Sequence, residues 1–383
     1  MTTTGERAGP AGTEGTTGAR VRGRVRTAWP DAVRVGLTAL VVAHHCAITY
    51  SHIPAWTYYE PPTDGSAVLL DAFVAVNQAW FMGAFFLISG WFVPGSVDRH
   101  GVRGFVRGRL LRLGVPFLAF VLLLKPVYYL PAWNGTGNAL LWALTTPDPG
   151  PLWFVLLLLV FSLAYALVRG VRGRAGAGTD PETGGRVPGV PAVVAAGLVL
   201  AAVSWLWWIA VPIGTFWTVL PSAGYLPQYA LCFAIGIAGG RRGWFDRLRP
   251  RTGVAAGGIA VVTGLAWLVA VATGGPGANG GGTAISAVTA VLNGVFTVTV
   301  IVAVLVAARR WLDRSGPVAR FLSADAYAVF VLHAPIVAWL GVALAGVAAP
   351  AAPKALLLVA LSLPLCWAAA WVVRRPRVVR RFL

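Results

Sequence analysis

Long apolar stretches separated by short polar ones set the pattern of the whole chain. A helix needs about 20 apolar residues to cross a bilayer. On that measure, about ten spans are predicted near 31–52, 67–93, 113–130, 151–168, 190–211, 224–240, 253–273, 284–308, 322–347 and 355–373. An even number of passes places both ends on one side of the membrane. The glycine-rich stretch 274–283 is the one connection where an irregular segment is expected inside this regular alternation. Residues 1–28 and 173–188 are polar and glycine-rich and lack hydrophobic periodicity, which predicts disorder. The chain therefore divides into a basic tail (1–29), a membrane domain (30–373) and a second basic tail (374–383). The first span follows a polar tail and is long enough to remain as an anchor, so no cleavable leader is expected.

Composition agrees. Hydrophobic residues make up 57% and charged residues only 11%, against roughly a quarter charged in soluble domains. With a mean hydropathy of +0.72, there is too little polar surface to cover a soluble particle. The expected class is an all-α polytopic integral membrane protein. A net charge of +18 would point to nucleic acid in a soluble domain, but its placement decides otherwise. Of 31 basic residues, 28 fall in 1–29, 94–112, 169–190, 241–251, 309–320 and 374–383, which are alternate connections and the two tails. That is the positive-inside distribution of a multi-pass plasma-membrane protein with cytoplasmic termini. Topology accounts for the charge, and no nucleic-acid partner is expected. Cys46, Cys232 and Cys366 each lie inside a span, an odd set with neither disulfide nor metal spacing; no metal site is expected.

Ionisable groups inside spans are costly and are functional candidates by default. They are Asp31, Arg34, His44, His45, Asp71, Lys125, Asp325 and His333. Arg34 and His45 stand eleven residues apart, so they share a helix face about 16 Å apart. Arg34 either snorkels to the inner headgroups beside Asp31 or binds an anionic ligand. His45, halfway across, is either a general base or an interhelical hydrogen bonder. His333 has the same two readings. Asp71 and Asp325 are possible partners for these groups or lie near water at span ends, and Lys125 is expected to snorkel outward. The aromatic residues of the outer loops, Trp56 among them, are interfacial anchors or a rim on which a sugar stacks. In 103–117, Arg109 and Arg112 are spaced i, i+3, so both guanidiniums can reach one phosphate-bearing ligand or one anionic lipid surface.

Six segments together resemble acyltransferase family 3: Asp31-x-x-Arg34 with His45 following, FFLISGWFVPGSVDRHG (85–101), RGRLLRLGVPF (107–117), GPLWFVLLLLVFSLAYAL (150–167), LPQYALCFAIGIAGG (226–240) and AYAVFVLHAPI. They occur in family order across roughly 30–373, and the nearest branch includes glucan succinyl transferases. The resemblance implies an O-acyltransferase that takes an acetyl, succinyl or similar group from cytoplasmic acyl-CoA. The acceptor is a hydroxyl of a cell-envelope carbohydrate, a glycolipid or a small molecule. It assigns catalytic roles to His45, Arg34 and His333 and binding of the CoA co-substrate to Arg109 and Arg112, with no permanently bound cofactor. The partners it implies are acyl-CoA, a carbohydrate or lipid-linked acceptor, and membrane lipids. One departure is Phe330, where the family often has a tyrosine, so no hydroxyl is available there. Ser89 and Gly90 read as close helix packing, because no GxSxG elbow surrounds that serine. Two other classes stand beside the enzyme. A flippase or transporter for a lipid-linked sugar would show inverted repeats or broken helices in corresponding halves, which are not visible. A scaffold without chemistry is the third class, and the buried His45 with Arg34 aligned on the same helix argues against it.

Overall fold

A computed structural model describes residues 1–2, 27–175 and 185–383. Among them the protein is helical throughout, with no strand and one isolated bridge, Trp217 to Leu220, closing a loop. The disorder expected in 1–28 and 173–188 concerns residues that mostly lie outside the described ones. The described part of the second stretch shows the preceding helix continuing to Ala175.

Helix α1 spans Trp29–Thr49, and α2 (Ala67–Gln78) leads directly into α3 (Phe81–Arg109). The helical path then continues through α4 (Val115–Ala119) and α5 (Lys125–Tyr129) to Ala132. As one unit, Ala67–Ala132 counts 66 residues, about 100 Å of helix and some three bilayer cores. Gly101 resolves this. At φ 67°, ψ 169° it turns the chain back on itself, a conformation open to glycine because it has no Cβ. The segment thus supplies two passes.

The third pass is irregular for a local reason. Five-residue π turns at Leu110–Gly114 and Phe120–Leu124 precede Pro116 and Pro126 or flank them closely. Proline has no N–H to give the carbonyl four residues back. The Arg112 carbonyl, left without that donor, accepts instead from the Tyr327 hydroxyl at 2.8 Å.

After the short α6 (Ala139–Thr145) come α7 (Trp153–Ala175), α8 (Val190–Ala210), α9 (Leu226–Arg242) and the one-turn α10 (Trp244–Arg247). Four long helices complete the chain: α11 (Pro250–Thr273), α12 (Ala284–Trp311), α13 (Pro317–Ala343) and α14 (Ala351–Val373). Among the described residues, eight segments are long and apolar enough to cross a membrane. With the doubled segment and the shorter, 17-residue α9, each of the ten expected spans lies on helix. The glycine-rich connection 274–283 holds a single 3-10 turn, Pro276–Asn279.

Glycine decides which helices touch. A Cβ on Gly236 would lie 2.1 Å from the Leu87 carbonyl oxygen, and one on Gly90 2.2 Å from that of Phe233. So α3 and α9 meet backbone to backbone. Gly197 and Gly294 do the same for α8 and α12, where a Cβ would stand 2.7 Å from Val295 Cα and 2.5 Å from the Gly197 oxygen respectively. In lipid, such small residues permit the close contact that holds helices together.

Candidate active site

His45 sits on α1 at the floor of a cavity of about 510 Å³ that lies at the arginine-poor end of the bundle. Its ring stacks on the Trp56 indole at 4.0 Å between centroids and 19° between planes. On another side it stacks on His333 of α13 at 5.1 Å and 22°. Trp56 is brought there by the loop after α1, and Tyr128 of α5 buttresses it edge-on at 5.2 Å. Of the two readings of that tryptophan, contact with the site is the one its position supports.

The two imidazoles differ in how they are held. His333 is completely buried, and its Nδ1–H donates to the Phe330 carbonyl at 2.7 Å. A carbonyl only accepts, so Nε2 of the neutral ring carries the lone pair. That Nε2, and Nδ1 of His45, are buried without a hydrogen-bond partner among the described residues. Buried polar atoms are nearly always paired in stable interiors, so unpaired nitrogens on two stacked histidines make this pair the candidate site. His44 is different. Its Nδ1 faces the Asn77 amide at 3.3 Å, an α1–α2 link.

The cavity walls combine aromatic surface from Trp56, Trp153, Tyr225 and Phe216 with a fixed polar strip. In that strip Gln78 Nε2 donates to the Tyr229 hydroxyl at 3.2 Å, which shares a 2.8 Å hydrogen bond with Ser222. Asp148 also lines the cavity, its oxygens accepting from the Tyr129 hydroxyl at 2.5 Å and the Gly150 N–H at 2.8 Å. The loop carrying Ser222 is tied down by Trp207 and Trp208, whose indoles donate to the Ala223 and Gly224 carbonyls at 3.0 and 2.8 Å. None of the lining residues is lysine or arginine.

The arginines lie at the other end. Arg34 forms a 2.5 Å ion pair with Asp31, and its side chain is 43% exposed. It borders a separate recess of about 790 Å³ with Arg314, Arg320 and Ser323. Arg34 and His45 thus share α1 but open into different cavities. Arg109, half-buried, stacks over Phe105 at 5.0 Å, while Arg112 is exposed beside Tyr327. Between Tyr327 and His333 on α13 lies Phe330, packed against Phe85 and Phe154 at 6.1 and 5.4 Å. The residue without the family's hydroxyl is therefore part of an aromatic layer.

The remaining intramembrane charges have structural partners. Asp325 pairs with Arg374 and Asp71 with His52 at 2.7 Å. Lys125 does not snorkel; it is buried and donates to the Thr146 carbonyl. Gln78, Ser222, Tyr229 and Asp148 were not singled out from the sequence. The one available signal was the polar pair Asn77–Gln78 inside an otherwise apolar span.

These features define an all-helical membrane protein with a histidine-floored cavity at one end and an arginine-bordered recess at the other. The chain belongs to acyltransferase family 3: the family model, described as an acyltransferase domain, matches residues 27–371. The protein is a multi-pass membrane acyltransferase. Among curated proteins and solved structures, none matches it.

Proposed function

We propose that the protein is an O-acyltransferase that takes a short acyl group from cytoplasmic acyl-CoA and delivers it to an uncharged hydroxyl-bearing ring, of the sugar type, entering from the outer face. The observation that carries this reading is the cavity floored by His45. A hydroxyl that reaches it meets an imidazole held by stacking on two sides, next to a second imidazole with a free lone pair.

In the reaction, His45 removes the acceptor's proton as its oxygen attacks the thioester carbonyl. The C–O bond forms, the C–S bond breaks, and the proton passes to the departing thiolate, giving ester and free CoA. His333 is a second polar contact for the reacting groups. The Trp56 and Trp153 faces and the Gln78–Tyr229–Ser222 strip suit a ring with apolar faces and hydroxyl edges. A phosphate or carboxylate in that cavity would find no lysine or arginine to pair with, which is why the acceptor is proposed to be neutral. The basic recess at Arg34 and the Arg109–Arg112 pair are the proposed seats for the anionic parts of the donor. The plasma membrane of a cell with an envelope glycan is the proposed location.

The test needs no acceptor. Thermal unfolding of the purified protein is followed with acetyl-CoA, succinyl-CoA and free CoA. A ligand bound only by the folded state raises the midpoint. A dose-dependent rise that is reduced in the Arg109→Ala/Arg112→Ala double variant supports the donor. A properly folded sample whose midpoint ignores all three compounds removes it.

A further inference from the structure

A second cavity, unconnected with the transfer chemistry, lies between the two glycine-packed helix pairs. Glycine contacts draw α3 against α9 and α8 against α12, but where the pairs face each other the side chains are too small to meet. Ala192 and Ala196 on α8 and Ala234 and Ala238 on α9 are each spaced i, i+4, so each helix turns a shallow stripe toward the other. The result is a slot of about 410 Å³ reaching to Val298 and Leu305 of α12. Its lining is apolar apart from Cys232 and one indole N–H. An empty slot of this kind forfeits the dispersion contacts its walls would otherwise make, and one indole N–H falls short of the two to four polar partners that hold a water. A hydrocarbon chain restores those contacts.

The indole is that of Trp244, at the arginine-rich mouth. Its Nε1 is buried and has no hydrogen-bond partner among the described residues. A lone buried donor at the end of an apolar slot calls for an acceptor that arrives with the chain, as the ester carbonyl of a glycerolipid does. Among the arginines on the segments around it, Arg242 stacks over the Trp244 ring at 5.3 Å, and Arg241, Arg309 and Arg247 donate to neutral oxygens. Arg241 donates to the Tyr165 hydroxyl at 2.7 Å. Arg309 donates to the Phe245 carbonyl at 2.8 Å and to that of Leu248. Arg247 donates to the carbonyls of Gly243, Arg242 and Gly185. Neutral oxygens leave a guanidinium's charge uncompensated, and a phosphate beside them would supply that compensation.

We infer that this slot is a binding site for one anionic phospholipid, with an acyl chain between α8, α9 and α12, an ester carbonyl on Trp244 Nε1, and the headgroup phosphate among Arg241, Arg247 and Arg309. The site does not depend on the acyl-transfer reading and would stand if that reading failed.

The protein is reconstituted in vesicles of equal parts phosphatidylglycerol and phosphatidylcholine, extracted into detergent, and weighed by native mass spectrometry. Wild type should retain one phosphatidylglycerol, favoured over phosphatidylcholine by about fivefold or more. Filling the slot with Ala196→Phe and Ala234→Phe should abolish the retained lipid while the thermal midpoint holds. Trp244→Phe keeps the slot's shape and removes only the donor, so retention should fall about two- to tenfold, the worth of one hydrogen bond. If the filled variant does not fold, the Trp244→Phe result decides alone. Equal retention of both lipids, survival of the adduct in the filled variant, or unchanged retention in Trp244→Phe would overturn the assignment.

Discussion

The loop that places Trp56 over His45 is tied to the last helix by hydrogen bonds from the Ala351 and Ala352 N–H groups and by an ion pair whose two halves differ in burial, and that difference predicts an asymmetric response. Lys354 of α14 donates to Glu60 at 2.5 Å, with side chains 2% and 32% exposed. Glu60 has other support, since its second oxygen accepts from the Tyr58 hydroxyl at 3.1 Å. Lys354 has only the Tyr50 ring, 5.3 Å from its ammonium. Glu60→Gln strands a fully buried cation, a situation that costs about 3–5 kcal/mol in buried pairs; with Glu60 nearly one-third exposed, the lower end, about 3 kcal/mol, is expected. Lys354→Met removes the buried charge, keeps the apolar stem, and leaves a carboxylate that stays partly hydrated. Its cost, including a cation–π contact of about 1 kcal/mol, should be about 1–2 kcal/mol. The double variant should resemble Lys354→Met alone, which makes the coupling about 3 kcal/mol, the whole cost of Glu60→Gln. Unfolding by detergent titration of the four proteins measures all of these. If Lys354→Met costs as much as Glu60→Gln, or if the two effects simply add, the clamp is not a buried ion pair in the sense argued. Turnover should fall in parallel with Glu60→Gln, because the same loop carries Trp56.

Four further outcomes follow from the same geometry. His45→Ala should reduce acyl transfer by about 10²–10⁴-fold, the usual worth of a general base, in a protein with an unchanged thermal midpoint; a variant that keeps its rate would return His45 to a packing role. Trp56→Ala should raise KM for the acceptor more than for the donor, and steady-state kinetics with each substrate varied in turn separates the two. Gly236→Ala should prevent proper assembly, because its Cβ would stand 2.1 Å from the Leu87 oxygen and would have to displace the α3 backbone by about an ångström; normal yield and monodispersity in size-exclusion chromatography would contradict the contact. Asp64 accepts from the Ala351 N–H at the start of α14 and from Ser66. The Ser66 hydroxyl first, then the Ala351 N–H and the Ser66 N–H, hold its carboxyl below the ordinary value of 3.8. A depressed folded-state pKa gives stability that is complete above that value and is lost as pH falls through the lower, folded one. Asp64→Asn should therefore flatten the acid limb of the stability profile relative to wild type.

The sequence by itself determined the class of the protein. Apolar runs of bilayer length and arginines in alternate connections follow from the cost of moving polar groups into lipid, and that cost acts residue by residue, so it is visible without a partner. Arg34 and His45 were legible as candidates for the same reason, because each is expensive where it stands. What only the tertiary structure decided is what those groups face. Helical spacing put Arg34 and His45 on one line, but packing opened them into two different cavities. Asp325 was an open candidate until Arg374, far along the chain, was brought beside it. Trp56 read first as an interfacial anchor and only second as part of a stacking rim, because nothing in a loop's composition says where its backbone returns. Gln78 joins Ser222 and Tyr229, seven residues apart but some 150 positions away from it, in one hydrogen-bonded network, and a pairing across that distance has no local signature. The slot between α8 and α9 is further still from the sequence. Its alanines are ordinary membrane residues, and they enclose space only because the glycines on the neighbouring faces bring each helix so close to a different partner.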